Sequence, residues 1–164
     1  MTTIQSVLRE ATKRLSLVSP TARLDAEMLL AHLLGTTRER IIADFNKPVA
    51  PSHLDEFEQS IERRLRLEPV AYLIGEREFY GLSFYVDARV LVPRPETELL
   101  VERAIQCARD HPSGPALRIA DIGTGSGAIA IAVATHLPAC RVWAVDLSGA
   151  ALEVARINVE RHRL

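Results

Sequence analysis

The chain has 164 residues, 48% of them hydrophobic, with 20 basic side chains against 21 acidic ones and a formal net charge of −1. That apolar content suits a soluble globular protein of one domain or two small ones. The near-cancelling charges imply no broad basic surface for nucleic acid, and no apolar run approaches the ~20 residues of a membrane span.

The first 75 or so residues read as helices. Ile4, Val7, Leu8, Ala11 and Leu15 recur at helical spacing and give one apolar stripe. Arg9, Lys13 and Arg14 on this segment have a faint transit-peptide character, which Glu10 and the smooth run into the next helix oppose. Ser19-Pro20 predicts a cap followed by proline at the first helical position, and Gly35 a C-terminal stop. Between them Leu24, Met28, Leu29, Leu33 and Leu34 form a broad apolar face. A short helix is expected after Thr37. Another is expected from Ser52, with Leu54, Phe57, Ile61 and Leu65 on one face and Glu56, Glu62, Arg63, Arg64 and Arg66 as a solvated charged side.

Composition shifts after Gly75. Phe79 to Val86 is aromatic and β-branched around Gly81, which predicts a hairpin. Val90 to Pro95 is extended, because proline disfavours helix in the residue before it. A helix follows from near Glu96, with Leu99, Leu100 and Ala104 inward, and 111–115 is loop punctuation. From Leu117 the order strand, helix, strand, helix predicts a parallel α/β layer. Cys107 and Cys140 stand far apart and the five histidines are scattered, so a zinc site is not expected and a reducing, cytoplasmic setting is.

The chemistry concentrates in Arg118-Ile-Ala-Asp-Ile-Gly-Thr-Gly-Ser-Gly127 and Val142-Trp-Ala-Val-Asp146. Alternate glycines let the backbone turn sharply and approach a ligand closely, and the following helix aims free N–H groups and its positive dipole end there. An acid at the tip of the next strand, Asp146, lies 19 residues after Gly127 and can accept from the two hydroxyls of a ribose. Gly123, Gly125 and Ala128 also fit a dinucleotide fingerprint loosely, which keeps a nicotinamide or flavin enzyme open. Asp121, just before the turn, favours a ligand with a cationic amino-acid tail, S-adenosylmethionine, and repels a bridging pyrophosphate. Blander roles remain for each: a tight turn for the glycines, a helix cap for Asp146, although Ser148 is the better cap, and a turn residue for Asp121. Thr124 and Ser126 need offer only backbone N–H groups. No lysine follows the glycines, so a Walker-type phosphate loop is excluded.

Ala120-Asp-Ile-Gly-Thr-Gly-Ser-Gly-Ala-Ile-Ala130 resembles motif I of class I S-adenosylmethionine-dependent methyltransferases. Arg23-Leu-Asp-Ala-Glu-Met-Leu-Leu-Ala-His32, Glu68-Pro-Val-Ala-Tyr-Leu-Ile-Gly75, Glu78-Phe-Tyr-Gly81 and Leu91-Val-Pro-Arg-Pro-Glu-Thr-Glu98 together resemble the HemK/PrmC family of release-factor protein-(glutamine N5) methyltransferases. The resemblance runs over essentially the whole chain. It implies an α+β two-domain protein: a helical substrate-docking bundle at 1–75, a β-hairpin linker at 76–92, and at 93–164 the start of a Rossmann-like α/β domain. Gly123, Thr124, Gly125, Ser126 and Gly127 would wrap the methionine part of S-adenosylmethionine (product S-adenosylhomocysteine). Asp146 would hold the ribose hydroxyls, Asp121 would lie near the methionine end, and Pro93 to Glu98 would border the reaction site.

The implied substrate is a class I peptide chain release factor, methylated at its Gly-Gly-Gln motif by a full-length monomer without direct nucleic-acid or membrane binding. The family's Asn-Pro-Pro-Tyr motif, which carries its chemistry, is absent from this sequence. The expectation is therefore a truncated form, without catalytic residues of its own and inactive alone. A non-catalytic release-factor-binding module and, less favoured, a dinucleotide-dependent oxidoreductase are the competing readings.

Overall fold

The computed structural model describes residues 2–111 and 117–164. The loop punctuation expected at 111–115 therefore lies, beyond His111, outside the described residues. Backbone packing separates two compact units, Met1–Ile74 and Gly75–Leu164.

The first unit holds helices α1 (Ile4–Leu15), α2 (Ala22–Leu33), α3 (Arg38–Ala43), α4 (Pro51–Leu65) and α5 (Val70–Ile74). Thr3 and Ser6 form a reciprocal capping box at the start of α1, and Thr37 caps α3 by accepting the Arg40 N–H. Gly35, at φ +58°, ends α2. Its N–H donates to His32 O at 3.1 Å and that of Thr36 to Ala31 O at 3.0 Å, the paired bonds of a Schellman motif. Leu8, Leu15, Ala26, Leu30, Ile41, Phe57 and Ile61 make the core.

Three expectations fail here, one of them only in part. α2 starts at Ala22, two residues after the proline. The Ser19 hydroxyl donates to Asp25 Oδ2 at 2.8 Å and Thr21 Oγ1 to Asp25 Oδ1 at 2.9 Å, so Ser19 braces a buried carboxylate instead of capping. The expected face of α2 holds only in part: Leu29 is buried and Leu33 and Leu34 pack half-buried against the core, but Leu24 is exposed, and the inward face includes Ala22, Ala26 and Leu30 instead. Arg64 is not part of a solvated face: its Nε donates to Asp25 at 2.8 Å, with both side chains largely buried. Glu27, also buried, is ion-paired by Arg23 and Arg38. Burial pushes its carboxyl up, but the two guanidinium hydrogen bonds and charges outweigh that and leave it below the usual carboxylate range.

The second unit begins with an antiparallel hairpin, β1 (Glu76–Phe79) and β2 (Leu82–Tyr85), in which Phe79 faces Leu82 across the Tyr80–Gly81 turn. Tyr80 and Gly81 have φ of +52° and +70°, as a type I′ turn requires. The Tyr80 N–H donates to the Glu98 carboxylate at 2.9 Å. Phe79 and Phe84 are buried edge to face at 6.1 Å. Residues 91–94, without regular secondary structure and with Arg94 extended, and a single 3₁₀ turn, Pro95–Thr97, lead into α6 (Glu98–Asp110). α6 buries Val101, Ile105 and Ala108, while Leu99 and Leu100 are about 60% exposed, so its inward face is offset from the expected one.

β3 (Arg118–Ile122) and β4 (Arg141–Val145) pair in parallel, Ile122 against Val145, with α7 (Ala128–His136) between them in sequence and α8 (Gly149–His162) after. Ile122, Trp143 and Val145 stand exposed on these strands. No helix among the described residues is long and apolar enough to cross a membrane.

Candidate functional site

The turn between β3 and α7 is held in left-handed backbone at alternate residues: Gly123, Gly125 and Gly127 have φ of +79°, +55° and +81°. A Cβ at Gly123 or Gly125 would meet nothing within 4 Å, so these two glycines present bare backbone on an open side, where a ligand can approach. Gly127 differs. A Cβ there would stand 3.1 Å from Ile131 Cδ1 and 3.4 Å from Ala155 Cβ, so this glycine lets α7 and α8 close together.

Backbone hydrogen bonds splice the turn onto the end of β4. The N–H groups of Gly123 and Thr124 both donate to Val145 O, at 2.8 and 2.9 Å, and that of Gly127 to Thr124 O at 2.9 Å. The two expected acids are then wired to the turn by their side chains. Asp121 Oδ2 accepts from the Thr124 hydroxyl at 2.7 Å, and Asp146 Oδ2 accepts from the Gly125 N–H at 2.8 Å. Asp146 Oδ1 accepts from the Ser148 N–H at 2.9 Å.

The N–H groups of Ser148 and Gly125 hold Asp146 below the usual carboxylate range. Its contribution to the turn is thus fully present above the ordinary Asp value of ~3.9 and is lost only as pH falls through its own lower pKa. Ser148, not Asp146, caps α8, accepting the Ala151 N–H at 3.2 Å. Thr124 and Ser126 are buried, and the Thr124 side chain is engaged as well as its backbone.

A shallow cleft of about 140 Å³ lies along this turn, bounded opposite the glycines by Phe79, Leu91 to Arg94, and Thr97. The structure thus joins the two acids to the turn through hydrogen bonds, and of the Pro93 to Glu98 stretch it places Pro93, Arg94 and Thr97 on the same cleft as Gly123 to Ser126, while Glu98 is engaged with the Tyr80 N–H. Sequence reasoning missed Phe79 and Leu91 on the cleft wall and Asn158 behind the turn. Asn158 had a signal: it is a polar residue in register with Ala151, Val154 and Ala155 on the buried stripe of α8.

The strand, three-glycine turn, helix and second strand ending in an acid form a nucleotide-binding type of α/β unit, and residues 119–164, which hold them, match the family described as "Methyltransferase domain". Residues 6–75 match the family described as "PrmC N-terminal domain". The chain is 46% identical over 142 residues to the release factor glutamine methyltransferase of Chlorobaculum tepidum (85% of this chain, 48% of that protein). It is 40% identical over its whole length to that of Coxiella burnetii, covering 58% of that protein. Against that of Rhodopirellula baltica it is 48% identical over 147 residues (89% of this chain, 50% of that protein). The chain belongs to the HemK/PrmC family. It spans about half the length of the curated relatives it matches.

Proposed function

We propose that this chain carries the cofactor side of an S-adenosylmethionine-dependent methyltransferase, whose substrate is the glutamine amide of the Gly-Gly-Gln motif in class I release factors. Residues 1–75 are the docking bundle, 76–92 the linking hairpin, and 93–164 belong to the cofactor domain.

The observation that carries this reading is the pairing of two carboxylates with one glycine turn. Asp121 reaches the turn through Thr124, and Asp146 reaches it through Gly125. An acid on each flank suits a ligand with hydroxyls at one end and an ammonium at the other, and it disfavours a pyrophosphate. The residues present fit that group: Gly123 and Gly125 leave room on the open side of the turn, and Asp146 is held ionised. Each Asp146 oxygen accepts from a backbone N–H, and a carboxylate has acceptor capacity left for the ribose hydroxyls. Asp121 would hold the ammonium, and Leu91 to Arg94 with Thr97 would cover the cofactor from the facing side. When bound, the cofactor supplies a methyl group already activated on a sulfonium, so the protein's task is to position a nucleophile at ~3–3.5 Å from it.

Calorimetric titration tests the reading. S-adenosylhomocysteine should bind and NADH should not; tight NADH binding without S-adenosylhomocysteine binding overturns it. Asp146→Ala should weaken S-adenosylhomocysteine binding, because the ribose hydroxyls and the Gly125 N–H both lose their acceptor. Unchanged affinity would confine Asp146 to holding the turn. The sequence has no Asn-Pro-Pro-Tyr to accept the amide N–H groups. We therefore expect no turnover of a Gly-Gly-Gln release-factor peptide by these 164 residues alone. Measured methyl transfer would show those acceptors to be dispensable.

A further inference from the structure

Asn158 on α8 is fully buried, and its amide makes three hydrogen bonds. Nδ2 donates to Ser126 O at 2.8 Å and to Tyr85 O at 2.9 Å, while Oδ1 accepts from the Tyr85 N–H at 2.7 Å. The partners fix the amide's orientation, since two carbonyls need donors and one N–H needs an acceptor. Toward Tyr85 the side chain thus behaves like one more residue of a strand beside β2. Toward Ser126 it grips the carbonyl of the peptide that joins Ser126 to Gly127.

That peptide is followed directly by the left-handed Gly127, and the left-handed Gly125 stands one residue before it, ahead of Ser126. Glycine has no Cβ to hold its dihedrals, so a peptide plane with glycine on one side turns more easily unless something fixes it. Here the N–H side is held by Thr124 O at 2.9 Å and the C=O side by Asn158.

We propose that Asn158 is a positioning residue of the glycine turn: acting through the Ser126 carbonyl, it sets which way the backbone of 123–127 faces and ties that setting to the hairpin. The identity of the ligand that profits from this rests on the methyltransferase reading; the effect on the turn does not. A merely structural role would be a general tie between α8 and the hairpin. His162 provides such a tie, its Nε2 lying 2.9 Å from Ser83 O without touching the turn.

The test compares Asn158→Ala with His162→Ala in the whole chain. Amide hydrogen exchange is followed at residues 123–127, and S-adenosylhomocysteine affinity is measured by calorimetry at a temperature where both variants are folded. Asn158→Ala should raise exchange at Gly127 and weaken binding, each by tenfold or more, whereas His162→Ala should leave both within about twofold. Unchanged turn exchange in Asn158→Ala, or equal changes in the two variants, overturns the proposal. If Asn158→Ala does not fold, Asn158→Ser, too short to bridge Ser126 and Tyr85, is read the same way. If the unsubstituted chain gives no heat with S-adenosylhomocysteine but the exchange difference persists, the cofactor reading falls and the positioning role stands.

Discussion

Arg64→Ala is expected to destabilise the chain by about 3 kcal/mol, at the lower end of the ~3–5 kcal/mol for breaking a buried pair from one side. Asp25 is 7% exposed at its side chain and Arg64 16%. Removing the guanidinium leaves Asp25 with only the Ser19 and Thr21 hydroxyls as donors in a site water reaches poorly. The Arg64 side also loses its contact to Glu68 O at 3.3 Å, which helps close the end of α4. The slight exposure of Arg64 places the cost low in the range.

The matched control is its sequence neighbour. Arg63 pairs with Glu68 while both are substantially exposed, so Arg63→Ala should cost no more than ~1 kcal/mol. Urea unfolding followed by circular dichroism decides the matter: equal midpoint shifts for the two variants would mean that the Asp25 site is wet and the pair unimportant. Replacing Asp25 as well should recover much of the loss, because the uncompensated charge disappears with it.

These two arginines also show where the sequence stops being legible. Both stand in the run Arg63-Arg64-Leu65-Arg66; helical register puts Arg64, three residues after Ile61 and seven after Phe57, beside the buried stripe of α4, but only the approach of α2 supplies its buried carboxylate. The same applies to the inward faces of α2 and α6. Both helices carry apolar residues on more than one side, and the pattern favours large residues such as Leu24 and Leu99. Packing kept Leu29 but added Ala22, Ala26 and Leu30 in α2, and it selected Val101 and Ile105 in α6.

Features set by chemistry within a few residues were readable: the Gly35 stop, the Thr37 and Ser148 caps, the Tyr80–Gly81 turn, and the strand–glycine turn–helix of the site. Each depends on a side-chain oxygen or a positive φ, not on a distant partner. Asn158 reaches 32 residues back to Ser126 and 73 back to Tyr85, so its partners could not be named from spacing. Its signal was limited to a polar residue out of place on an apolar stripe.

The three glycines of the site separate stability from binding, and alanine substitution should resolve the two. All three have positive φ, so each alanine incurs left-handed strain of about 1–2 kcal/mol. At Gly127 the added methyl also meets Ile131 Cδ1 at 3.1 Å and the Ala155 Cβ and Cα at 3.4 and 3.5 Å. Ile131 is 2% exposed, so its Cδ1 can give way only into packed core, and Ala155 belongs to the backbone frame of α8. Overpacking of this kind adds about 1–3 kcal/mol. Gly127→Ala should therefore cost about 2–5 kcal/mol in unfolding free energy.

Gly125→Ala meets no atom within 4 Å, so its stability loss should stay at the strain alone. Its methyl, however, projects on the side where the ligand approaches. S-adenosylhomocysteine affinity should fall further in Gly125→Ala than its small stability change accounts for. In Gly127→Ala, measured well below its melting temperature, stability should carry the larger effect. Thermal unfolding paired with calorimetry reads both quantities on the same samples. Equal stability losses at 125 and 127 would remove the close approach of α7 and α8 as the reason for the third glycine. The backbone need at Gly127 would then be its left-handed φ at the start of α7, the feature it shares with the other two.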